Sequence, residues 1–276
     1  MRKAAVIGWP VSHSRSPMIH GYWLKKYGIE GSYERAPVKP EELSAFIEGL
    51  RRGDLAGCNV TVPHKEAVLK LVDTADDIAR AIGAANTLWM EGGRLRATNT
   101  DAHGFLANLE MTYPDWREPP GIPLVVGAGG AARAVIYALR KAGCRNILLT
   151  NRTRARADDL VAYFGDDVEA LDWDQRIDGV SDCSLLVNTT TQGMAGQVAL
   201  DISIESLNPE TIVYDLVYVP LETPLIAAAR ASGQRTLGGL GMLLHQAGVG
   251  FEHWFGVKPR VTDELYQLVA ANIGAH

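Results

Sequence analysis

Leu124-Val-Val-Gly-Ala-Gly-Gly-Ala-Ala-Arg133 is followed one helix-length later by Ile147-Leu-Leu-Thr-Asn-Arg-Thr153. In the first segment an apolar run is broken by Gly127, Gly129 and Gly130, and an alanine-rich stretch follows. That order reads as a strand, a tight glycine turn and a helix. Backbone at such a turn can approach a pyrophosphate closely. The helix start beyond it offers free N–H donors and the positive end of a dipole. The spacing departs from G-x-G-x-x-G: the turn reads Gly127-Ala128-Gly129-Gly130-Ala131-Ala132, with alanine at the third, helix-packing position. The looser pattern admits alanine there. A glycine triplet alone is also what a plain strand-to-helix turn shows. The strand before it, the helix after it and the residues at the next strand end favour a dinucleotide.

Those residues also choose the dinucleotide. NAD-binding folds place an Asp or Glu after the second strand, where it takes the ribose 2′-OH. This chain has Asn151, Arg152 and Thr153 there, with Arg154 and Arg156 just beyond. A carboxylate repels a 2′-phosphate, whereas a guanidinium grips one through paired donors. The expected cofactor is therefore NADP.

Outward from this segment, the chain of 276 residues has room for a large core in one or two domains. A net charge of −5 offers no electrostatic case for a nucleic-acid or anionic-membrane partner. Cys58, Cys144 and Cys183 are odd in number, far apart and without a C-x-x-C. Neither disulfides nor a metal site is expected, and a reducing cytoplasm fits. Met1-Arg-Lys-Ala-Ala-Val-Ile-Gly8 reads as a first strand, too short in its apolar run for a signal peptide. No apolar run reaches the roughly 18–20 residues of a membrane span.

Two α/β blocks emerge. In the first, strands are expected at Ala4–Gly8, Ser32–Val38, Gly57–Val62, Thr87–Met90 and Leu95–Thr98. Helices are expected at Pro17–Tyr27, Pro40–Arg51, Lys65–Val72 and Ala75–Ala81. Helix Ala102–Met111 runs into Tyr113–Gly121, a proline- and charge-rich connection. The second block alternates strand and helix: Pro123–Val126, Ala131–Lys141, Asn146–Thr150, Arg154–Phe164, Leu185–Asn188, Ile212–Leu216 and Thr223–Ala231. That alternation predicts a parallel sheet with crossover helices. The tail, Gly241–Phe255 and Thr262–Ala271, reads as two helices that pack back on another domain.

Four polar clusters of the first block fall at strand ends: Gly8–Pro17, Asn59–Glu66, Gly83–Thr87 and Thr98–Asp101. Each has an ordinary explanation. Ser14 and Ser16 precede a helix that either would cap. Asn59 and Thr61 share one face of a strand. Asn86 and Asn99 suit turns. Lys65 suits a solvated helix start, and Asp101 suits a cap. Together they leave many hydroxyl, amide and charged groups at strand ends, where open α/β sheets bind ligands. Such groups suit a small, hydroxyl-rich, anionic substrate.

These residues resemble the shikimate dehydrogenase family from end to end. The matching pieces are Gly8-x-Pro10…His13-Ser-x-Ser-Pro17…His20, Asn59-Val-Thr-Val-Pro-His-Lys65, Gly83-Ala-Ala-Asn-Thr87, Thr98-Asn-Thr-Asp101 and Gly127-Ala-Gly-Gly-Ala131. Further along come Asn151-Arg-Thr153, Asn188-Thr-Thr-Thr-Gln-Gly-Met194, Asp215-x-x-Tyr218-x-Pro220 and Gly241-Met-Leu-Leu-His-Gln-Ala247. Gly21 stands where the family often has Asn, and Thr191 where Ser is common; the latter keeps its hydroxyl.

The resemblance implies that Ser14 and Ser16 hold the substrate carboxylate. It assigns the ring hydroxyls to Thr61, Asn86, Asp101 and Gln246, with Asn59 and Tyr218 nearby. Lys65 and Asp101 form the implied catalytic pair. Gly127, Ala128, Gly129, Gly130 and Ala131 would cradle the pyrophosphate, and Asn151, Arg152, Thr153 and Arg156 would take the 2′-phosphate end. Leu216, Gly239 and Met242 would lie near the nicotinamide, with Thr191 and Asp77 as further cofactor-side candidates.

The fold expected is a two-domain α/β enzyme. Residues 1–101 with 240–276 would form the substrate-binding domain and 102–239 a Rossmann-type NADP-binding domain, with the active site in the cleft between them. The implied reaction is reversible reduction of 3-dehydroshikimate to shikimate with NADPH, in the cytoplasmic pathway to chorismate and the aromatic amino acids. The expected assembly is a monomer or homodimer. The alternatives are a quinate/shikimate dehydrogenase of broader substrate or cofactor use, an aminoshikimate variant, and a non-catalytic NADP-binding regulator on the same fold.

Overall fold

The computed structural model describes residues 1–118, 121–176, 183–204 and 206–275. The chain divides into two units, Met1–Gly104 with Leu243–Val269 and Phe105–Met242 with Ala270–His276. The expected break after residue 101 thus falls inside the first unit. Leu240–Met242 and the residues from Ala270 group with the second. The helices Asp101–Thr112 (α4), Leu240–Phe255 (α8) and Asp263–Gly274 (α9) run through these positions, so the breaks fall inside helices rather than in loops.

The first unit is built on a mixed six-stranded sheet: β1 (Arg2–Gly8), β2 (Gly31–Pro37), β3 (Gly57–Val60), β4 (Thr74–Ala75), β5 (Thr87–Glu91) and β6 (Arg94–Thr98), in the order β2-β1-β3-β5-β6-β4. β1 pairs in parallel with both β2 and β3, whereas β5 is antiparallel to β3 and β6. The antiparallel pair arises because Gly92 and Gly93, both at positive φ, close a tight β5–β6 hairpin. α1 (Ser16–Lys26), α2 (Leu43–Arg52) and α3 (Asp77–Ile82) connect the strands. One core cluster gathers Ile7, Ile47, Leu50, Val60, Leu88 and Leu95 from strands and helices. The tail helix α8 docks through Trp254, whose indole N–H donates to the Leu88 carbonyl at 2.9 Å.

The second unit holds a six-stranded, wholly parallel sheet: β7 (Ile122–Val126), β8 (Ile147–Thr150), β9 (Val168–Leu171), β10 (Cys183–Asn188), β11 (Ile212–Asp215) and β12 (Arg235–Gly238). Its order is β9-β8-β7-β10-β11-β12, third-second-first-fourth-fifth-sixth along this part of the chain. That is the doubly wound, dinucleotide-binding order, with its switch point between β7 and β10. α5 (Gly130–Lys141), α6 (Arg154–Phe164) and α7 (Pro224–Ala231) are its helices. The apolar runs read as strands are buried throughout β7, β10 and β11, as a sheet covered on both faces requires.

Three strands were not expected: β4, β9 and β12. All three sit at sheet edges and are short, with exposed or half-buried positions that leave no apolar periodicity. The helix expected over Lys65–Val72 reduces to a 3₁₀ turn at Ala67–Lys70. The Lys65 carbonyl accepts from the Ala85 N–H at 2.8 Å and is therefore spent outside any helix. The strand expected to Val62 ends at Val60, and the helix expected from Ala75 begins at Asp77. Among the described residues, no helix is long and apolar enough to cross a membrane.

Candidate active site

In the first unit, the polar groups at the strand ends converge. Lys65 follows β3, and Asp101 opens α4 directly after β6. Lys65 Nζ donates to Asp101 Oδ2 at 2.5 Å, with the two side chains 18% and 9% exposed. The other carboxylate oxygen, Oδ1, accepts from Asn86 Nδ2 at 2.8 Å. Asn86 Oδ1 in turn accepts from the Thr100 N–H at 2.8 Å and from the Thr87 hydroxyl at 3.0 Å. The Thr100 hydroxyl lies 3.1 Å from Asn86 Oδ1 and 3.2 Å from Gln246 Oε1, with one proton to share. Gln246 Oε1 is also 3.4 Å from Asn86 Nδ2, and its amide nitrogen donates to the Leu243 carbonyl. Asn99 Oδ1 accepts from the Asp101 N–H at 3.0 Å, and its own amide is held on the Ala84 carbonyl. Asp101 is therefore not spent as a helix cap. A buried carboxylate is fixed by an amide on one oxygen and presents an ammonium on the other, a charge-assisted arrangement of the stronger kind.

Asn59 is buried and fully engaged. Its amide donates to the Asn86 carbonyl and the Thr87 hydroxyl, and its oxygen accepts from the Tyr33 hydroxyl at 2.6 Å. Thr61 lies just beyond β3, half-buried, and its hydroxyl makes no hydrogen bond among the described residues. Ser14 and Ser16 are both buried, and their hydroxyls lie 3.2 Å apart. The cap reading does not hold for Ser16: it lies within the first turn of α1, and Arg15 at the N-cap position makes no side-chain cap. Arg35 on β2 holds the Ser14 carbonyl through two donors, at 3.0 and 2.6 Å. Asp77 opens α3, 95% exposed, and pairs with Arg80 at 2.6 Å.

The second unit carries the glycine turn. Gly127 has φ +108°, and a Cβ there would stand 2.6 Å from Thr189 Oγ1, so both conformation and space require glycine. Gly129 is the N-cap of α5 and supplies no side-chain cap, which leaves the first N–H groups of the helix, at Gly130 and Ala131, without a side-chain acceptor. At the end of β8, Asn151 donates to the Thr153 carbonyl at 2.8 Å, and Thr153 is the N-cap of α6. Of the three arginines, Arg154 is consumed by Asp158 at 2.7 Å and Asp172 at 2.5 Å. Arg152 and Arg156 are exposed and form no ion pair among the described residues. A free helix start with two uncommitted guanidiniums beside the next strand fits a dinucleotide carrying a 2′-phosphate.

The loops after β10 and β11 are braced by a network whose Asn188 and Asp215 lie in family motifs but had no role expected of them. Asn188 and Asp215 are register partners, and the Asn188 amide donates to Asp215 Oδ1 at 2.9 Å. Asp215 also accepts from the Val217 N–H and the Thr223 hydroxyl. Burial raises the Asp215 carboxyl above its usual range, opposed by these three donors. The network secures the loop that carries Leu216 and Tyr218. Gly239 lies against the Leu216 backbone with no room for a Cβ. Met242 is buried and Thr191 exposed. Thr87, Thr100, Tyr33 and Arg35 likewise had no role expected of them. Thr87 and Thr100 belong to the Gly83–Thr87 and Thr98–Asp101 motifs, whereas Tyr33 and Arg35 carry no local signal.

Residues 6–88 match the model of the shikimate dehydrogenase substrate-binding domain, and residues 123–195 that of shikimate/quinate 5-dehydrogenase. A protein of Azorhizobium caulinodans named shikimate dehydrogenase (NADP(+)) is 50% identical over 275 residues, covering 100% of this chain and 98% of its own length. This chain belongs to the shikimate dehydrogenase family. The Thermus thermophilus family member, crystallised with NADP(H) and shikimate, superposes with a TM-score of 0.85 at 37% identity, over 99% of this chain and 100% of that one. A quinate dehydrogenase from Corynebacterium glutamicum, solved with NAD, has a TM-score of 0.90 at 28% identity, over 98% and 99% of the two chains. The fold is thus found in complexes with NADP(H) and with NAD, so side chains rather than the fold decide the cofactor.

Proposed function

We propose that this chain catalyses the reversible reduction of 3-dehydroshikimate to shikimate with NADPH, as a cytoplasmic enzyme of the route to chorismate and the aromatic amino acids. The observation that carries this reading is the part-buried Lys65–Asp101 pair at a strand end, its carboxylate held by Asn86. Reduction of a ketone adds a hydride to carbon and a proton to oxygen. Bound NADPH supplies the hydride. The protein supplies orientation and the proton.

Lys65, its Nζ held on the Asp101 carboxylate, gives a proton to the developing alkoxide and stabilises the negative oxygen beforehand. Asp101 orients the ammonium and accepts from a substrate hydroxyl. Asn86, Gln246 and Thr61 bind the ring hydroxyls, with Asn59 holding the frame behind them; Tyr218 is a further candidate for the substrate. The Ser14 and Ser16 hydroxyls take the carboxylate. Gly127–Ala131 hold the pyrophosphate, Asn151, Arg152, Thr153 and Arg156 hold the 2′-phosphate end, and Thr191, Leu216, Gly239 and Met242 line the nicotinamide side.

Purified protein mixed with shikimate and NADP, followed by NADPH absorbance, tests the reading, with quinate and NAD as parallel arms. Turnover with shikimate and NADP supports it. Turnover confined to quinate or NAD favours the broader enzyme, and none with any pair favours a regulator.

A further inference from the structure

We propose that Gly8 is a positioning residue for substrate recognition: the space left by its missing side chain holds the Thr61 methyl and so sets the direction of the Thr61 hydroxyl. This rests on the reading of Thr61 as a substrate-binding residue.

Gly8 ends β1, beside the chain that leaves β3. A Cβ built on Gly8 would stand 2.4 Å from Thr61 Cγ2 and 3.0 Å from the Val62 carbonyl oxygen. Atoms do not approach to 2.4 Å without a bond, so any side chain at residue 8 must expel the methyl. Neither backbone can retreat easily. The Thr61 N–H is bonded to the Ile7 carbonyl at 2.9 Å, the Trp9 N–H to the Val62 carbonyl at 3.0 Å, and the Val38 N–H to the Gly8 carbonyl at 3.1 Å. The 3.0 Å approach to the Val62 carbonyl needs a shift of only a few tenths of an ångström, whereas the 2.4 Å overlap is relieved by turning the Thr61 side chain. A β-branched side chain has one torsion that places methyl and hydroxyl together. With the methyl seated against Gly8, the hydroxyl has one remaining direction. That hydroxyl has no protein partner among the described residues, so its direction is not spent on the fold.

The test uses Gly8→Ala, Thr61→Ser and the double variant in the full chain. Thr61→Ser keeps the hydroxyl but frees it among three staggered wells, so KM for shikimate should rise about threefold. Gly8→Ala should raise it by at least about tenfold through displacement of the hydroxyl, with KM for NADP unchanged. Removing the obstructing methyl in Gly8→Ala/Thr61→Ser should recover most of that loss. Three-bond carbon couplings to the Thr61 methyl should report one rotamer in the wild type.

A wild-type KM in Gly8→Ala, or a double variant as impaired as the single, overturns the proposal. If Gly8→Ala does not fold, an averaged Thr61 rotamer in the wild type, or an unchanged KM in Thr61→Ser, overturns it instead. If the wild type does not turn over shikimate, the functional reading fails, and a change of the couplings in Gly8→Ala still decides whether Gly8 sets the rotamer.

Discussion

Lys65 and Asp101 meet at 2.5 Å, while the second carboxylate oxygen of Asp101 is already committed to Asn86 at 2.8 Å. The carboxylate is therefore held in one orientation before any substrate arrives. The ammonium it presents is part-buried and already oriented, so it needs little reorganisation to meet an alkoxide.

Lys65→Ala should lower kcat by about 10²–10⁴, the range for a positioned proton-transfer group. KM for shikimate should move far less. Steady-state kinetics decides this: a variant with raised KM and normal kcat would make Lys65 a binding residue. Asp101→Asn should lower kcat as well, because a neutral amide no longer aligns the ammonium.

Arg15 is the N-cap of α1 and the Ser14 hydroxyl oxygen accepts from the Ser16 N–H at 3.3 Å, which leaves the Ser16 hydroxyl outside any cap. Ser14→Ala with Ser16→Ala should weaken shikimate binding by about 1–3 kcal/mol, the worth of hydrogen bonds to a charged group. NADP binding should be unaffected. A normal KM together with a lowered Tm would show that the serines serve stability alone.

Arg152 is exposed without an ion pair, whereas Arg154 is neutralised by Asp158 and Asp172. Arg152→Ala should cost NADP about 1.5–3 kcal/mol, or roughly 10–150-fold in Kd, with NAD affinity nearly unchanged. Arg156 keeps the loss partial. Arg152→Asp should shift preference further toward NAD, since a carboxylate repels the phosphate and accepts from the ribose. The readout is kcat/KM with both cofactors at matched ionic strength, and an unchanged ratio in Arg152→Asp would place the phosphate elsewhere.

His20 stacks on Tyr33 at 3.9 Å and is wholly buried, and burial drives its pKa from 6.5 down to about 3. The folded state therefore refuses a proton that the unfolded chain accepts below pH 6.5. Stability from this group is complete above that pH and falls by about 1.4 kcal/mol per pH unit as acid is added, until the folded pKa near 3 is reached. In His20→Phe this slope should disappear. Urea midpoints measured from pH 7 to 4.5 test it: parallel falls in variant and wild type would count against His20.

The nucleotide-binding half was legible because its signals are local. A strand, a glycine turn and a helix need only neighbouring residues, and Gly127 at φ +108° is required by the turn itself. The buried strands β7, β10 and β11 announced themselves as apolar runs for the same reason. The ordered motifs carried the family, and with it the roles proposed for Lys65, Asp101 and Gln246, but not their geometry. Lys65 meets Asp101 across 36 residues of chain, and Asn86 meets Gln246 across 160. Neither meeting follows from a helical or strand period; both depend on β3, β5 and β6 lying side by side and on α8 returning to the first unit. The edge strands β4, β9 and β12 were silent because an edge needs no alternating apolar face. Lys65 looked like a helix start until its carbonyl was found committed to Ala85. The residue types at the site were decided by the sequence alone. Which donor faces which acceptor, and that Gly8 leaves room for the Thr61 methyl, was decided only by the packing of distant segments.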